Sequence, residues 1–231
     1  AEMITTFVAY GDSQSCESNH MQLLRQAAYL GPAAIIHCGD IVERGERKDQ
    51  WIDAFKTLGL VPPWTDFLPC PGNHDLPDNG YQRHFPTIGL WYSRDFGSCR
   101  VISLNAFDPD LPLRRGQQWR WLLRALQSHT GPKIVFFHLP LFSPGIPDIW
   151  MHGSNLPLRA VLHPLFVQER VNLVLCGHEH LYYRTVQDDV WYIISGGGGG
   201  NIWGRRPLNT TDVMDVTILV RGFTIITVQQ K

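Results

Sequence analysis

No apolar run in this chain comes near the ~20 residues needed to span a bilayer, so the sequence reads as that of a soluble protein. An excess of either charge is missing too: 20 lysines and arginines face 21 aspartates and glutamates. That balance argues against bulk nucleic-acid binding or attachment to an anionic membrane, and for a small or locally recognised substrate. None of the five cysteines belongs to a CxxC pair, which removes a zinc ribbon and a thioredoxin-like motif from consideration. Internal repeats and low-complexity linkers are absent as well. What remains, 231 residues with 44% hydrophobic content, suffices for one large core, and a single domain over residues 1–231 is expected.

Cys38 and Cys176 each close an apolar stretch directly before a glycine and read as buried free thiols, a weak sign of a reducing compartment. The start at Ala1-Glu2, without an initiator methionine, would suit a removed export signal. The compartment therefore stays open between cytoplasmic and exported.

Strand and helix signals alternate through the first half. Ile4 to Tyr10 is a β-branched and aromatic run stopped by Gly11-Asp12-Ser13-Gln14. Met21, Leu24, Ala27, Ala28 and Leu30 recur at helical spacing from Asn19 to Leu30, ahead of Gly31-Pro32. Ala33 to Cys38 is a second strand, closed by Gly39-Asp40. A helix over Gln50 to Leu58 and a short strand over Asp66 to Cys70 lead into Pro71-Gly72-Asn73-His74-Asp75, a strong turn signal. Strands over Leu90 to Phe96 and Arg100 to Ala106, a helix over Gly116 to His129 and a strand over Lys133 to Phe137 follow, the last delivering His138. A loop from Ser143 to Pro157 carries Trp150 and His152, and a helix from Leu158 to Glu169 precedes the buried strand Val171 to Cys176. That strand ends in Gly177-His178-Glu179-His180.

Four more strands, Tyr182 to Val186, Val190 to Ser195, Val213 to Val220 and Phe223 to Val228, read in succession as an antiparallel sheet. Gly196 to Gly200 lead into a loop with Trp203, Arg205 and Arg206. No Lys-Ser/Thr follows the glycines, so they are no P-loop, and close backbone approach is their expected role. The whole pattern predicts an α/β fold of two sheets packed face to face with helices outside.

Five strand ends thus deliver Asp12, Asp40, Asn73, His138 and the pair His178 and His180. Strand C-terminal ends of a largely parallel sheet share one edge, so these side chains can meet in one crevice. The two imidazoles can serve one cation or two neighbouring ones. Carboxylates, an amide oxygen and imidazoles suit Mn, Fe or Zn rather than calcium. A carboxylate bridging two ions would make a dinuclear centre able to clamp a phosphoryl group and turn water into hydroxide.

At these residues the chain resembles the calcineurin-like metallophosphoesterase superfamily. Its five motifs occur in order as Gly11-Asp12, Gly39-Asp40, Gly72-Asn73-His74-Asp75, His138 and Gly177-His178-Glu179-His180, and the likeness runs from about Ile4 to Val228. The resemblance implies a four-layer α-β-β-α sandwich of two mixed sheets. It implies that Asp40 bridges two metals, with Asp12 and His180 on the first and Asn73, His138 and His178 on the second. Gln14 stands where many members carry a histidine ligand of the first metal. His74 would meet the phosphate and donate a proton to the leaving group, oriented by Asp75, with Glu43 as a further partner. Arg44, four residues after the bridging aspartate as in serine/threonine protein phosphatases, would grip the phosphoryl oxygens. Gly177 to Arg184 and Ser195 to Gly200 look more like purple acid phosphatases and bacterial members, but the tyrosine those enzymes use as an iron ligand is Glu43 here.

The expected function is metal-dependent hydrolysis of phosphate esters, monoesters ahead of diesters such as cyclic nucleotides or phospholipid head groups. The partner would be a small phosphorylated molecule or a phosphoprotein. A non-catalytic scaffold with a weakened first site, suggested by Gln14, is the reading from another class. His152, Trp150 and Trp203 are expected near the substrate, with ordinary loop packing as the plainer alternative. His20, His37, His84, His129 and His163 fit no ligand position and are read as structural or exposed.

Overall fold

A computed structural model describes residues 4–14, 17–145, 152–202 and 215–229. Trp150 and Trp203 lie outside these described residues, as do Arg205 and Arg206. The elements are, in order, β1 (Ile4–Tyr10), α1 (Glu17–Tyr29), β2 (Ala34–His37), α2 (Lys48–Leu58), β3 (Asp66–Pro69), α3 (Gly80–His84), β4 (Tyr92–Phe96), β5 (Cys99–Ser103), α4 (Gly116–Gln127), β6 (Lys133–Phe136), α5 (Leu156–Gln168), β7 (Leu173–Cys176), β8 (Tyr182–Gln187), β9 (Val190–Ser195), β10 (Val216–Ile218) and β11 (Thr224–Gln229). They form a four-stranded sheet, β11-β1-β2-β3, and a seven-stranded sheet, β10-β8-β9-β7-β6-β5-β4. β1, β2 and β3 run parallel, as do β5, β6, β7 and β9.

Period-two alternation sorts the residues of each strand into layers. Phe7 and Ala9 of β1 and Ile36 of β2 point between the sheets, where they share a core with Val101, Ile134, Phe136 and Leu175 of the other sheet. Val8, Tyr10 and Ile35 point the other way, onto Leu23, Leu24 and Ala27 of α1. On the far face Ile102, Val135 and Val174 pack against Leu122 and Leu126 of α4 and Leu158 and Leu162 of α5. Two mixed sheets flanked by helices result, as expected. Cys38, Cys70, Cys99 and Cys176 are buried free thiols. No helix among the described residues is long and apolar enough to cross a membrane.

The last four strands depart from the expected antiparallel run. β8 pairs antiparallel with β9 and β10 with β8, but β11 leaves for the other sheet and pairs antiparallel with β1, from Ile4 opposite Gln229 to Ala9 opposite Thr224. Alternation along a strand says which face is buried, not which sheet receives it. Within the stretch expected as Val213 to Val220, the described strand is only Val216–Ile218. After the Asn73 turn there is also a short 3-10 turn, Pro77–Asn79, running into α3, too brief to leave a periodic signal. α5 begins at Leu156, two residues before the expected start; the Asn155 side chain caps it by accepting the Leu158 N–H at 3.1 Å.

The sheets are joined at the edge that carries the candidate ligands. Gly11 N–H donates to Ser195 O at 2.8 Å, Ser195 Oγ to Ala9 O at 2.9 Å and Thr224 Oγ1 to Ser195 Oγ at 3.0 Å. Since Phe136 is fully buried in the core between the sheets, Phe136→Ala should destabilise the fold by about 3–5 kcal/mol. Urea unfolding followed by fluorescence would read this, and a loss under about 1 kcal/mol would contradict the packing described.

Candidate metal centre

Asp12, Asp40 and His178 follow glycines and share a rarer property: all three are non-glycine residues with positive φ, at 61°, 57° and 72°. Left-handed backbone at such residues costs about 1–3 kcal/mol each and survives only where the surroundings enforce it. Here the surroundings are hydrogen bonds between motif loops. Asp12 N–H donates to Gly39 O at 2.9 Å, and His178 N–H lies 3.0 Å from both Asp12 carboxylate oxygens. His74 N–H donates to Asp40 Oδ1 at 2.9 Å.

Asp75 does more of this work than expected. Its buried carboxylate accepts the N–H groups of Asp40 (2.8 Å), Ile41 (2.9 Å), Val42 (3.1 Å) and Gly72 (3.0 Å). It therefore binds the second motif loop to the third, whereas the expected orienting of His74 falls to another group. His74 Nδ1–H donates to the main-chain oxygen of Glu43 at 2.7 Å. The contact from Glu43 to His74 described here runs through the Glu43 main-chain carbonyl.

Four expected ligands converge on one point. His138 Nε2 lies 3.0 Å from Asn73 Oδ1, 3.2 Å from Asp40 Oδ2 and 3.2 Å from His178 Nδ1. One ring nitrogen carries at most one proton and cannot satisfy three neighbours. Atoms that share a cation through bonds of about 2.1 Å do stand about 3.0–3.4 Å apart. The His138 geometry fits as well: Cys38 offers only a carbonyl oxygen, 2.8 Å from Nδ1, so Nδ1 donates and Nε2, once it has given up its proton, is the atom that can face a cation. Asp40, His138 and His178 together have the spacing of a metal site.

A second group lies beside the first. His180 Nε2 is 3.6 Å from Asp12 Oδ1 and 3.4 Å from the Gln14 amide nitrogen. His180 Nδ1–H donates to Asn201 O at 2.6 Å, which again frees Nε2. Gln14 Oε1 and His178 Nε2 are buried without a hydrogen-bond partner among the described residues. Half a turn of the Gln14 amide would bring Oε1 to face the same point as His180 Nε2. The donor set of Asp40, Asn73, His138 and His178 suits a Lewis-acidic cation, and the buried, unpartnered Gln14 oxygen is a further atom that a cation beside His180 would satisfy.

Electrostatics point the same way. Burial, and then the neighbouring Asp40 charge, push Asp12 well above the usual carboxylate range and Asp75 up to about 7. Asp40 is held low against the cost of burial, mainly by His138 and then His74. Burial also works against a charged His138, but Asp40, and behind it Asp12, lift it to about 9. Burial and then the His138 charge drive His178 down to about 3.

Glycines let these loops touch. A Cβ on Gly72 would strike the Asp40 carboxylate and backbone, and one on Gly177 would stand 2.5 Å from Asp12 Oδ2. The 196–200 glycine run passes against Gly11, Asp12, Glu179 and His180, the close approach that was expected of it.

The remaining candidates sit at the rim. His152 stacks obliquely near His178, ring centroids 5.3 Å apart. Arg44 is held elsewhere: its guanidinium bonds Glu46 at 2.7 Å with 61% of the side chain exposed, and its N–H donates to Gln50 Oε1 at 2.9 Å. Sequence reasoning missed the carbonyls of Cys38, Glu43 and Asn201 that set the histidine tautomers, since a main-chain oxygen leaves no mark on residue identity. It also missed Glu179, visible only as a charged residue between two histidines.

In the metal-free protein His138 keeps its proton up to about pH 9, so a cation must displace it. Metal uptake at pH 7 should release about one proton or more, with affinity rising as pH climbs toward 9. Calorimetry in buffers of different ionisation heat measures this, and uptake without proton release would contradict it. Gly72→Ala should lower the metal content per chain while leaving the far-UV circular dichroism unchanged.

The family model described as Calcineurin-like phosphoesterase matches residues 5–182. The phosphoenolpyruvate phosphatase of Allium cepa is 30% identical over 176 residues, covering 66% of this chain and 35% of that protein. Acid phosphatase type 7 of Danio rerio is 27% identical over 216 residues, covering 77% and 47%. The purple acid phosphatase PPD1 of yellow lupin superposes with a TM-score of 0.82 at 18% identity, over 99% of this chain and 50% of the lupin chain; at that identity the likeness is one of fold. The chain spans about a third to a half of the length of these curated relatives. With five motifs gathered at one end of its two sheets and a family model matched over most of its length, the chain belongs to the calcineurin-like phosphoesterase family.

Proposed function

We propose that this chain, acting as one domain, hydrolyses phosphate monoesters with two metal ions, Mn, Fe or Zn. Asp12, Gln14, Asp40 and His180 would hold the first, and Asp40, Asn73, His138 and His178 the second. The observation that carries the reading is the convergence of Asn73 Oδ1, Asp40 Oδ2 and His178 Nδ1 on His138 Nε2 within 3.2 Å. When bound, such ions polarise phosphoryl oxygens and lower the pKa of water. Two relatives named as phosphatases, one for phosphoenolpyruvate, support monoesters over diesters.

The chain's own groups supply the rest. His74 is half-buried, and its Nδ1–H is committed to Glu43 O. Nε2 is then the atom that can carry a proton to the leaving oxygen. Asp75 holds the two loops that bear Asp40 and His74 at fixed separation, so the proton donor and the bridging carboxylate move as one body. Arg44 reaches the phosphate only by giving up Glu46, an exposed pair worth little. Charge-assisted contact with a dianionic phosphoryl group is the stronger alternative. His152 would line the approach, and Trp150 and Trp203, outside the described residues, are proposed as further substrate contacts.

After chelation and reloading with Mn, Fe or Zn, p-nitrophenyl phosphate should be turned over faster than its bis-ester, with two ions per chain by elemental analysis. Asp40→Asn and His178→Ala should each lose about 100-fold or more in kcat/KM. His74→Ala should lower kcat more than it raises KM. Undiminished turnover in Asp40→Asn would overturn the reading, and one ion or none with no hydrolysis would favour the scaffold.

A further inference from the structure

Glu179 sits between two candidate ligands, is almost wholly buried, and has no part in the chemistry above. A carboxylate buried without a task is costly, so its partners matter. Oε1 accepts the Gly153 N–H at 2.5 Å and the Ser143 hydroxyl at 3.2 Å. Both donors belong to the connection between β6 and α5, and they lie on either side of the stretch outside the described residues. Ser143 is itself tied in: its Oγ accepts the Gly145 N–H at 2.9 Å, and its N–H donates to Ser154 Oγ at 3.0 Å. A Cβ on Gly145 would stand 2.8 Å from Glu179 Oε1, so the connection lies directly on the carboxylate. Gly153 has φ +82°, a turn that suits glycine, and its neighbour is His152, the ring beside His178.

We propose that Glu179 is a positioning residue: its carboxylate latches Ser143 and Gly153, and so holds His152 over the second metal site as a substrate contact. The inference rests on the phosphatase reading for what His152 touches, but not for the latch itself. One carboxylate oxygen joins both limbs of the connection to the loop that carries His178 and His180. A charged acceptor holds a main-chain N–H and a hydroxyl more strongly than a neutral one, which accounts for the buried acid at this position. The same oxygen geometry is available to glutamine, so the latch should tolerate Glu179→Gln and fail in Glu179→Ala.

The test is a double-mutant cycle on the metal-loaded protein. Glu179→Ala and His152→Ala should each lower kcat/KM for p-nitrophenyl phosphate about 10–100-fold, chiefly through KM, with metal content per chain unchanged. The double variant should be no worse than His152→Ala, and Glu179→Gln should stay within about threefold of the parent. Ser143→Ala, a milder cut through the same latch, should follow Glu179→Ala in direction and carries the test if Glu179→Ala does not fold. Additive losses in the cycle, or metal lost from Glu179→Ala, would overturn the inference, because Glu179 would then serve the ligand histidines instead. A readout without turnover is the nuclear Overhauser contact between the His152 and His178 rings, present in the parent and lost in Glu179→Ala. A parent that hydrolyses nothing but loses this contact on mutation would sink the phosphatase reading and support the latch. A contact that survives Glu179→Ala would sink the latch whatever the turnover.

Discussion

Three aspartates buried at one end of two sheets repel one another, and the site is organised around keeping them there. Each is given a different compensation. Asp75 takes four main-chain N–H groups. Asp12 takes one, from His178, shared between its two oxygens. Asp40 takes the His74 N–H on one oxygen and faces His138 with the other. The charge of His138, and then of His74, leaves Asp40 as the most charged of the three, the property its proposed bridging role needs. Backbone strain at Asp12, Asp40 and His178 is the cost of turning these residues inward.

A second layer sets the direction of each imidazole. His138, His74 and His180 all present Nδ1–H to a carbonyl, those of Cys38, Glu43 and Asn201. Because a carbonyl cannot donate, the tautomer is determined in each case and the lone pair, or the transferable proton, lies at Nε2. Two of these carbonyls come from the strand end and loop around Asp40, so the same segment that carries the Asp40 carboxylate also orients its neighbours. A small shift of residues 38–43 would therefore disturb the metal ligands and the proton donor together.

The layers of the fold and the place of the site were legible in the sequence because both follow from local patterns. Apolar runs of four to seven residues, closed by glycine after β1, β2 and β7 and by His138 after β6, identified these strands, and the polar residue after each run could lie only at the sheet edge. What was illegible depends on partners distant in sequence. β11 alternates as well as β8 does, yet it joins the other sheet, because the open edge of β1 is known only once the strands are arranged. The family resemblance implied that Asp75 orients His74, whereas its carboxylate turns back to loop 40–42. Arg44 stood at the right interval from Asp40, but interval says nothing of the nearby Glu46 that engages it. The buried role of Glu179 had no signal beyond its type.

The pairing of β1 with β11 orders events in time. β1 is made long before β11 and carries Asp12 at its end, so one side of it has no partner until Thr224–Gln229 has been made. Through most of synthesis it presents an unpaired edge of the kind that recruits other chains. The contact closing this edge is among the longest-range in the molecule, and such contacts slow folding. Thr224 of β11 also completes the Ser195 junction beside Gly11. The metal-binding edge is thus assembled last, and a nascent chain should be unable to take up its cations in their final arrangement until nearly all of the described fold has left the tunnel.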